Sequence, residues 1–154
     1  MFVNTVVIRS FPESYRTVGD YLSELHEDVL RALEHQDYPF EDLVQKLGIE
    51  QDRSRNPLFD TMFILQNIDR VAYRSGGTEF DPKEFDPGVS KFDLTLEAAE
   101  RDGRIGFSLE YATSLFREET ARELADDYTA IMCALVEDGA SKKISAVLAG
   151  TKLT

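Results

Sequence analysis

The 154-residue sequence is poor in the residues that most often do chemistry. It has one cysteine, Cys133, and two histidines, His26 and His35. A single thiol forms no internal disulfide and no zinc site built on thiolates. The two histidines fall nine residues apart on one expected helix, about 13 Å along its axis at 1.5 Å per residue, too far to share a metal. There is no apolar run long enough to span a membrane. Met1–Thr5 lacks the basic and apolar regions of a secretory signal, so a cytoplasmic setting is expected. Basic residues are scarce: 17 Lys and Arg stand against 29 Asp and Glu, a net charge of −12. A nucleic-acid binder needs a basic face, so no nucleic-acid partner and no anionic membrane partner is expected. The acidic balance reads as solubility. The sequence also lacks a phosphate loop, a Gly-x-Ser-x-Gly elbow, an internal repeat and a low-complexity tract.

What is present is ordinary for one globular domain, with 42% hydrophobic and 30% charged residues. Residues 2–9, FVNTVVIR, are mostly β-branched and apolar, and predict a strand buried on both faces. Such a strand seldom opens a domain, which suggests a piece of something longer. Thr17 then opens a helix, with Asp20 placed as a capping-box acid. Val18, Leu22, Leu25, Val29 and Ala32 give it one apolar face. Pro39 should stop it near His35 and start a second helix, with Glu41 and Asp42 in its first turn, Leu43, Val44 and Leu47 inward, and Gly48 at its C-terminus.

A polar loop at 51–57 leads to an expected strand at 58–66. Residues 67–90 read as a long, partly irregular loop. Residues 92–98 alternate strictly, Asp102-Gly103 makes a hairpin turn, and Ile105, Phe107, Leu109 and Tyr111 alternate with polar or small residues. That predicts a hairpin with one buried and one wet face. A last long helix is expected from Arg117 to Asp138 on the rhythm of Ala121, Leu124, Tyr128, Ile131 and Leu135, ended by Gly139. A short apolar stretch follows at 144–148. The element order predicts an α+β domain with helices packed on a sheet, spanning 1–148, and a tail or the start of an interdomain linker at 149–154.

No catalytic constellation emerges from these residues. Cys133, between Ile131 and Leu135, reads as a packed and inert thiol. The pairs Glu118-Glu119 and Asp126-Asp127 read as solvated helix faces. The stretch EHQDYPFEDLVQKLG at 34–48, despite its histidine and acids, reads as a helix–corner–helix joint.

Four segments, in order and at similar spacing, carry a family resemblance: FVNTVVIR at 2–9, HQDYPFEDLV at 35–44, DRSRNPLF at 52–59 and SKFDLTL at 90–96. Together they resemble condensation domains of nonribosomal peptide synthetases. Gln51 departs from the arginine usual there. The resemblance implies one half of a chloramphenicol acetyltransferase-like fold, with an active-site tunnel between two halves. It implies a peptide bond formed between aminoacyl or peptidyl thioesters carried on the phosphopantetheine of partner carrier domains, with no cofactor bound directly. The catalytic motif of the family, His-His-x-x-x-Asp-Gly, lies in the N-terminal half and has no counterpart here. The chain therefore resembles the C-terminal subdomain, inactive alone.

By that resemblance Arg9 matches the arginine that pairs with the aspartate of the catalytic motif. Asn4, Thr5 and Ser90 are expected near the tunnel. His35, Gln36, Asp37, Pro39 and Phe40, with Arg55, Asn56 and Pro57, form architectural motifs. No residue is assigned as a catalytic acid, base or metal ligand. The partners implied are the N-terminal subdomain, donor and acceptor carrier domains and an adjacent adenylation domain. A dimer of the isolated chain is expected through its exposed edge. Two alternatives stay open: a non-catalytic interaction module of the same fold, and half of an epimerisation or cyclisation variant.

Overall fold

The computed structural model describes residues 4–49, 55–66, 73–75, 77–80, 88–101 and 103–152. They form two compact units, one built from 1–59 with 118–154 and the other from 60–117.

The first unit begins with α1, Val18–Glu34, after the N-cap Thr17. Thr17 Oγ1 accepts the Asp20 N–H at 3.1 Å and donates its own proton to Asp20 Oδ2 at 2.6 Å. A cap of this kind stabilises a helix by about 1 kcal/mol. The first two helical N–H groups, which have no partner inside the helix, are satisfied from far along the chain. Val18 N–H donates to Lys142 O at 2.8 Å and Gly19 N–H to Ala140 O at 2.7 Å. In return Ile144 N–H donates to Arg16 O and Ser145 N–H to Ser14 O, both at 3.0 Å. Gly19 is required by this seam: a Cβ there would lie 2.8 Å from Ala140 Cβ and 3.0 Å from Ala140 O.

α1 ends at His35, whose N–H reaches the carbonyls of Ala32 and Leu33. Tyr38 N–H then donates to His35 O at 3.0 Å, and α2, Phe40–Leu47, starts after Pro39. Gly48 closes α2 in the left-handed region at φ 64°, where a side chain would be strained. The long helix α3, Glu118–Asp138, is followed by Gly139 at φ 72° and the five-residue α4, Ile144–Leu148. The small core of this unit is Val18, Ile144 and Val147, with Tyr21, Ile131, Ala134, Leu135 and Leu148 packed around it.

The second unit is a sheet in the order β1-β4-β5. β1, Thr61–Gln66, runs parallel to β4, Leu94–Arg101, with Thr61 opposite Leu94 and Gln66 opposite Ala99. β4 pairs antiparallel with β5, Arg104–Tyr111, from Leu94–Tyr111 to Arg101–Arg104. Two residues separate these strands, and Gly103 takes φ 70°, as a tight hairpin turn demands. A separate ribbon pairs β2, Tyr73–Ser75, with β3, Thr78–Phe80, around Gly77 at φ 82°. That ribbon falls within the stretch read as irregular. The rest of that stretch from 67 to 87 lies outside the described residues, as do Phe2, Val3 and Gln51–Ser54 of the sequence motifs. Helices in one unit and a mixed sheet in the other make the fold α+β.

Several expectations are corrected. Residues 4–9 form no strand and join neither sheet, and apart from the half-buried Val6 they are exposed. β-branched composition favours a pleated surface but supplies no ladder partner. On α1, Leu22 is exposed while Tyr21 packs against the core that Val18 forms with Ile144 and Val147 of α4. The hairpin's apolar face is open at Ile105 and Phe107, with Leu109 and Tyr111 half-buried. Cys133 is exposed. It lies two residues from Ile131, about 200° around the helix, on the opposite side from the packed residues. Asp127 is not solvated but buried, 7% exposed.

Candidate functional site

The residues singled out from the sequence fall into three places. The first is the segment preceding α1. Asn4, Thr5 and Arg9 are exposed on it. Val7 to Phe11 run beside α1 and, with Tyr21, Glu24, Leu25 and Asp28, line an open groove of about 390 Å³. The Ser10 and Tyr21 hydroxyls hydrogen-bond across it. Its two carboxylates are already engaged: Arg16 Nη1 lies 2.6 Å from Glu24 Oε2, and Arg31 pairs with Asp28. Among the described residues, Arg9 has no ion-pair partner.

The second place is the corner between α1 and α2. His35, Gln36 and Asp37 are exposed in the turn, and their backbone, rather than their side chains, carries its hydrogen bonds: Gln36 N–H donates to Leu33 O at 3.3 Å. Pro39 sets φ −62° ahead of α2. Phe40 turns inward, its ring edge-on to Phe59 at 5.9 Å and 74°. Asn56 prepares that contact. Its Oδ1 accepts from Leu58 N–H at 3.1 Å and Phe59 N–H at 3.3 Å, a side-chain-capped turn. So Phe40 of one sequence motif and Phe59 of another meet in space. Pro57 is half-buried in that turn, and Arg55 is exposed.

The third place is Ser90, in the sheet unit. It is half-buried; its hydroxyl bonds to Phe92 O and reaches Glu110 Oε1 at 3.3 Å. That ties the entry of β4 to β5.

Among the described residues, Tyr15, Arg16, Tyr128 and Lys152 have displaced proton affinities, all upward. The Glu13 carboxylate accepting from Tyr15 OH at 2.6 Å raises that hydroxyl, and the Glu24 carboxylate raises Arg16. Burial raises Tyr128, and the Glu123 carboxylate raises Lys152. Each shift reinforces the form already present at neutral pH, so none of the four is tuned for proton transfer there. Among the described residues no group of three His, Cys, Asp or Glu side chains is placed to hold a metal. None of the helices described is long and apolar enough to cross a membrane. Among the described residues the arrangement assembles no nucleophile–base pair.

One feature had no signal in the sequence reading. Asp127 and Glu123, one turn apart on α3, receive Lys152 from beyond α4. Asp127 was read only as half of the solvated pair Asp126-Asp127, and its partner lies 25 residues away.

This fold and these motif positions define a class, the condensation domains of nonribosomal peptide synthetases. The chain belongs to that family, which matches residues 1–152 as Condensation domain. It is 48% identical over 132 residues to bacitracin synthase 3 of Bacillus licheniformis, covering 86% of this chain and 2% of that protein. It is 45% identical over 141 residues to tyrocidine synthase 3 of Brevibacillus parabrevis, covering 92% of this chain and 2% of that one. The chain thus spans a small fraction of these curated relatives. The X-domain from teicoplanin biosynthesis shares the fold, with a TM-score of 0.76 at 24% identity over 90% of this chain and 32% of that one. So does holo-AB3403, a four-domain nonribosomal peptide synthetase, with a TM-score of 0.75 at 19% identity over 87% of this chain and 11% of that one.

Proposed function

We propose that this chain forms the C-terminal portion of a condensation domain that joins aminoacyl or peptidyl thioesters held on carrier domains, and that it supports the reaction without supplying its base. The observation that carries this reading is the family match over residues 1–152 in a sequence whose two histidines stand nine residues apart. The His-His pair of the family must then come from outside residues 1–154. Arg9 supports the reading. It is an exposed guanidinium without an ion-pair partner among the described residues, suited to take the aspartate of that motif. Substrates arrive on the phosphopantetheine of donor and acceptor carriers, with an adenylation domain adjacent; no cofactor is held directly. Attack geometry needs both walls of the tunnel.

The test mixes loaded donor and acceptor carrier proteins with the chain, alone and with a polypeptide carrying the N-terminal half. Peptide forms only in the mixture, and Arg9→Ala in the chain lowers its yield. Peptide formed by the chain alone would overturn the reading.

A second reading, a non-catalytic interaction module, draws on the X-domain solved in complex with OxyB, which shares the fold at 23% identity with a TM-score of 0.75. Absence of peptide with a competent N-terminal half would favour it. The register also puts Phe63, Leu65, Ile105 and Phe107 on one sheet face, all exposed. That supports self-association of the isolated chain at high concentration, strengthened by salt as charge repulsion is screened. Light scattering at two salt levels checks it, and a strict monomer at both contradicts it.

A further inference from the structure

The end of the described chain does not leave α4 freely. After Leu148 it turns back, with Thr151 N–H and Thr151 Oγ1 both donating to Leu148 O, at 2.9 and 2.8 Å. Lys152 then meets α3 twice. Its backbone N–H donates to both oxygens of Asp127, at 3.1 Å each. Its ammonium lies 2.8 Å from Glu123 Oε1. Glu123 and Asp127 are four residues apart, so they stack on one side of α3.

The two contacts are not equal. The Lys152–Glu123 pair is exposed on both sides, 72% and 54%, and exposed pairs of this kind contribute little. Asp127 is 7% exposed. A buried carboxylate is costly unless hydrogen bonds replace its water, and charge-assisted bonds from N–H donors are the strong kind. The backbone contact therefore dominates, and it is indifferent to which side chain follows α4.

We propose that Asp127 is a latch residue, a buried carboxylate on α3 that grips the backbone at position 152 and fixes the direction in which the polypeptide leaves the fold. The path after α4 is then set by α3, not by a swivel at 149–151. Motion of anything attached beyond 152 pulls on α3. Glu123 guides the lysine ammonium without bearing the hold. This goes beyond the proposed function, and its test needs no peptide formation.

The test is site-resolved hydrogen exchange by NMR on the whole chain and three variants. In Asp127→Ala the Lys152 amide should exchange at least about tenfold faster, the loss expected for a charge-assisted hydrogen bond, while amides of β4 keep their rates. Asp127→Asn, which retains one oxygen acceptor, should fall between. Lys152→Ala, which keeps the backbone N–H, should leave the position 152 amide within about twofold of its original rate. Unchanged exchange at position 152 in Asp127→Ala overturns the latch. Loss of protection in Lys152→Ala as large as in Asp127→Ala also overturns it, because the side chain would then be the hold. If Asp127→Ala unfolds, the Asn and Lys152 variants decide between the two contacts by the same readout.

Discussion

Two stretches of this chain have nearly the same chemistry and different structures. Residues 4–9 read NTVVIR and residues 61–66 read TMFILQ. Both are rich in β-branched and apolar side chains. The second is a six-residue strand with a parallel partner at every position; the first has no ladder partner and no regular structure. The difference lies in the neighbour, not the composition. β4 offers its edge to β1 from about thirty residues away, and nothing offers one to 4–9 in the two sheets described. A strand is a property of a pair, because each unpaired N–H and C=O held away from water costs free energy.

The sharpest way to break the comparison is proline. Leu96→Pro, in the central strand β4, removes a ladder donor and leaves an acceptor unpaired, at about 1–3 kcal/mol with backbone distortion added. Ile8→Pro removes no ladder bond and should stay within about 0.5 kcal/mol. Urea denaturation of both variants measures the contrast, and equal losses would show that 4–9 holds hidden structure.

A second pair of substitutions sharpens the same point with glycine. Gly19 faces Ala140 from 121 residues away in sequence, so Gly19→Ala should cost about 1–3 kcal/mol as an overpacked contact. Gly106, in β5, has open space where a Cβ would go, and Gly106→Ala should be neutral or gain up to about 1 kcal/mol. Thermal unfolding of the two variants checks the order. A Gly19→Ala protein as stable as the parent would mean that the seam between α1 and the 139–143 loop yields easily.

The smallest effect is in pH. Tyr128 and Lys152 both hold their protons more tightly than their ordinary values of 10.0 and 10.5. Raised folded-state values contribute stability that is complete below the unfolded values and is lost as pH rises through the folded ones. Denaturant midpoints should therefore be insensitive to these two groups between pH 7 and 9 and fall above about pH 10. A rise in stability above that point would contradict the assignments.

How much was legible in the sequence follows the same line. Features set by near neighbours could be read directly: Thr17 with Asp20, Pro39 ahead of α2, Gly48 and Gly139 at helix ends, and Gly103 between β4 and β5. Their causes lie within four residues. Features set by distant partners could not be read. Asp127 looks like any surface acid until Lys152 arrives, and Leu22 and Tyr21 compete for the core side of α1 until Ile144 and Val147 of α4 pack there. Cys133 was misplaced for a different reason. Its apolar neighbours in sequence suggested packing, whereas the helical turn puts it on their far side. The motif residues Phe40 and Asn56 were legible as family marks, but the contact between the Phe40 and Phe59 rings required the fold.

The most direct test is amide exchange along residues 4–10 and 61–66 in the same sample, with and without a polypeptide carrying the N-terminal half. Pairing as the source of strand structure predicts that 4–10 exchanges almost as fast as unfolded chain in the chain alone, while β1 and β4 are protected. Protection should appear at 4–10 when the complementary half is added. Protection of 4–10 in the chain alone, equal to that of β1, would contradict the account.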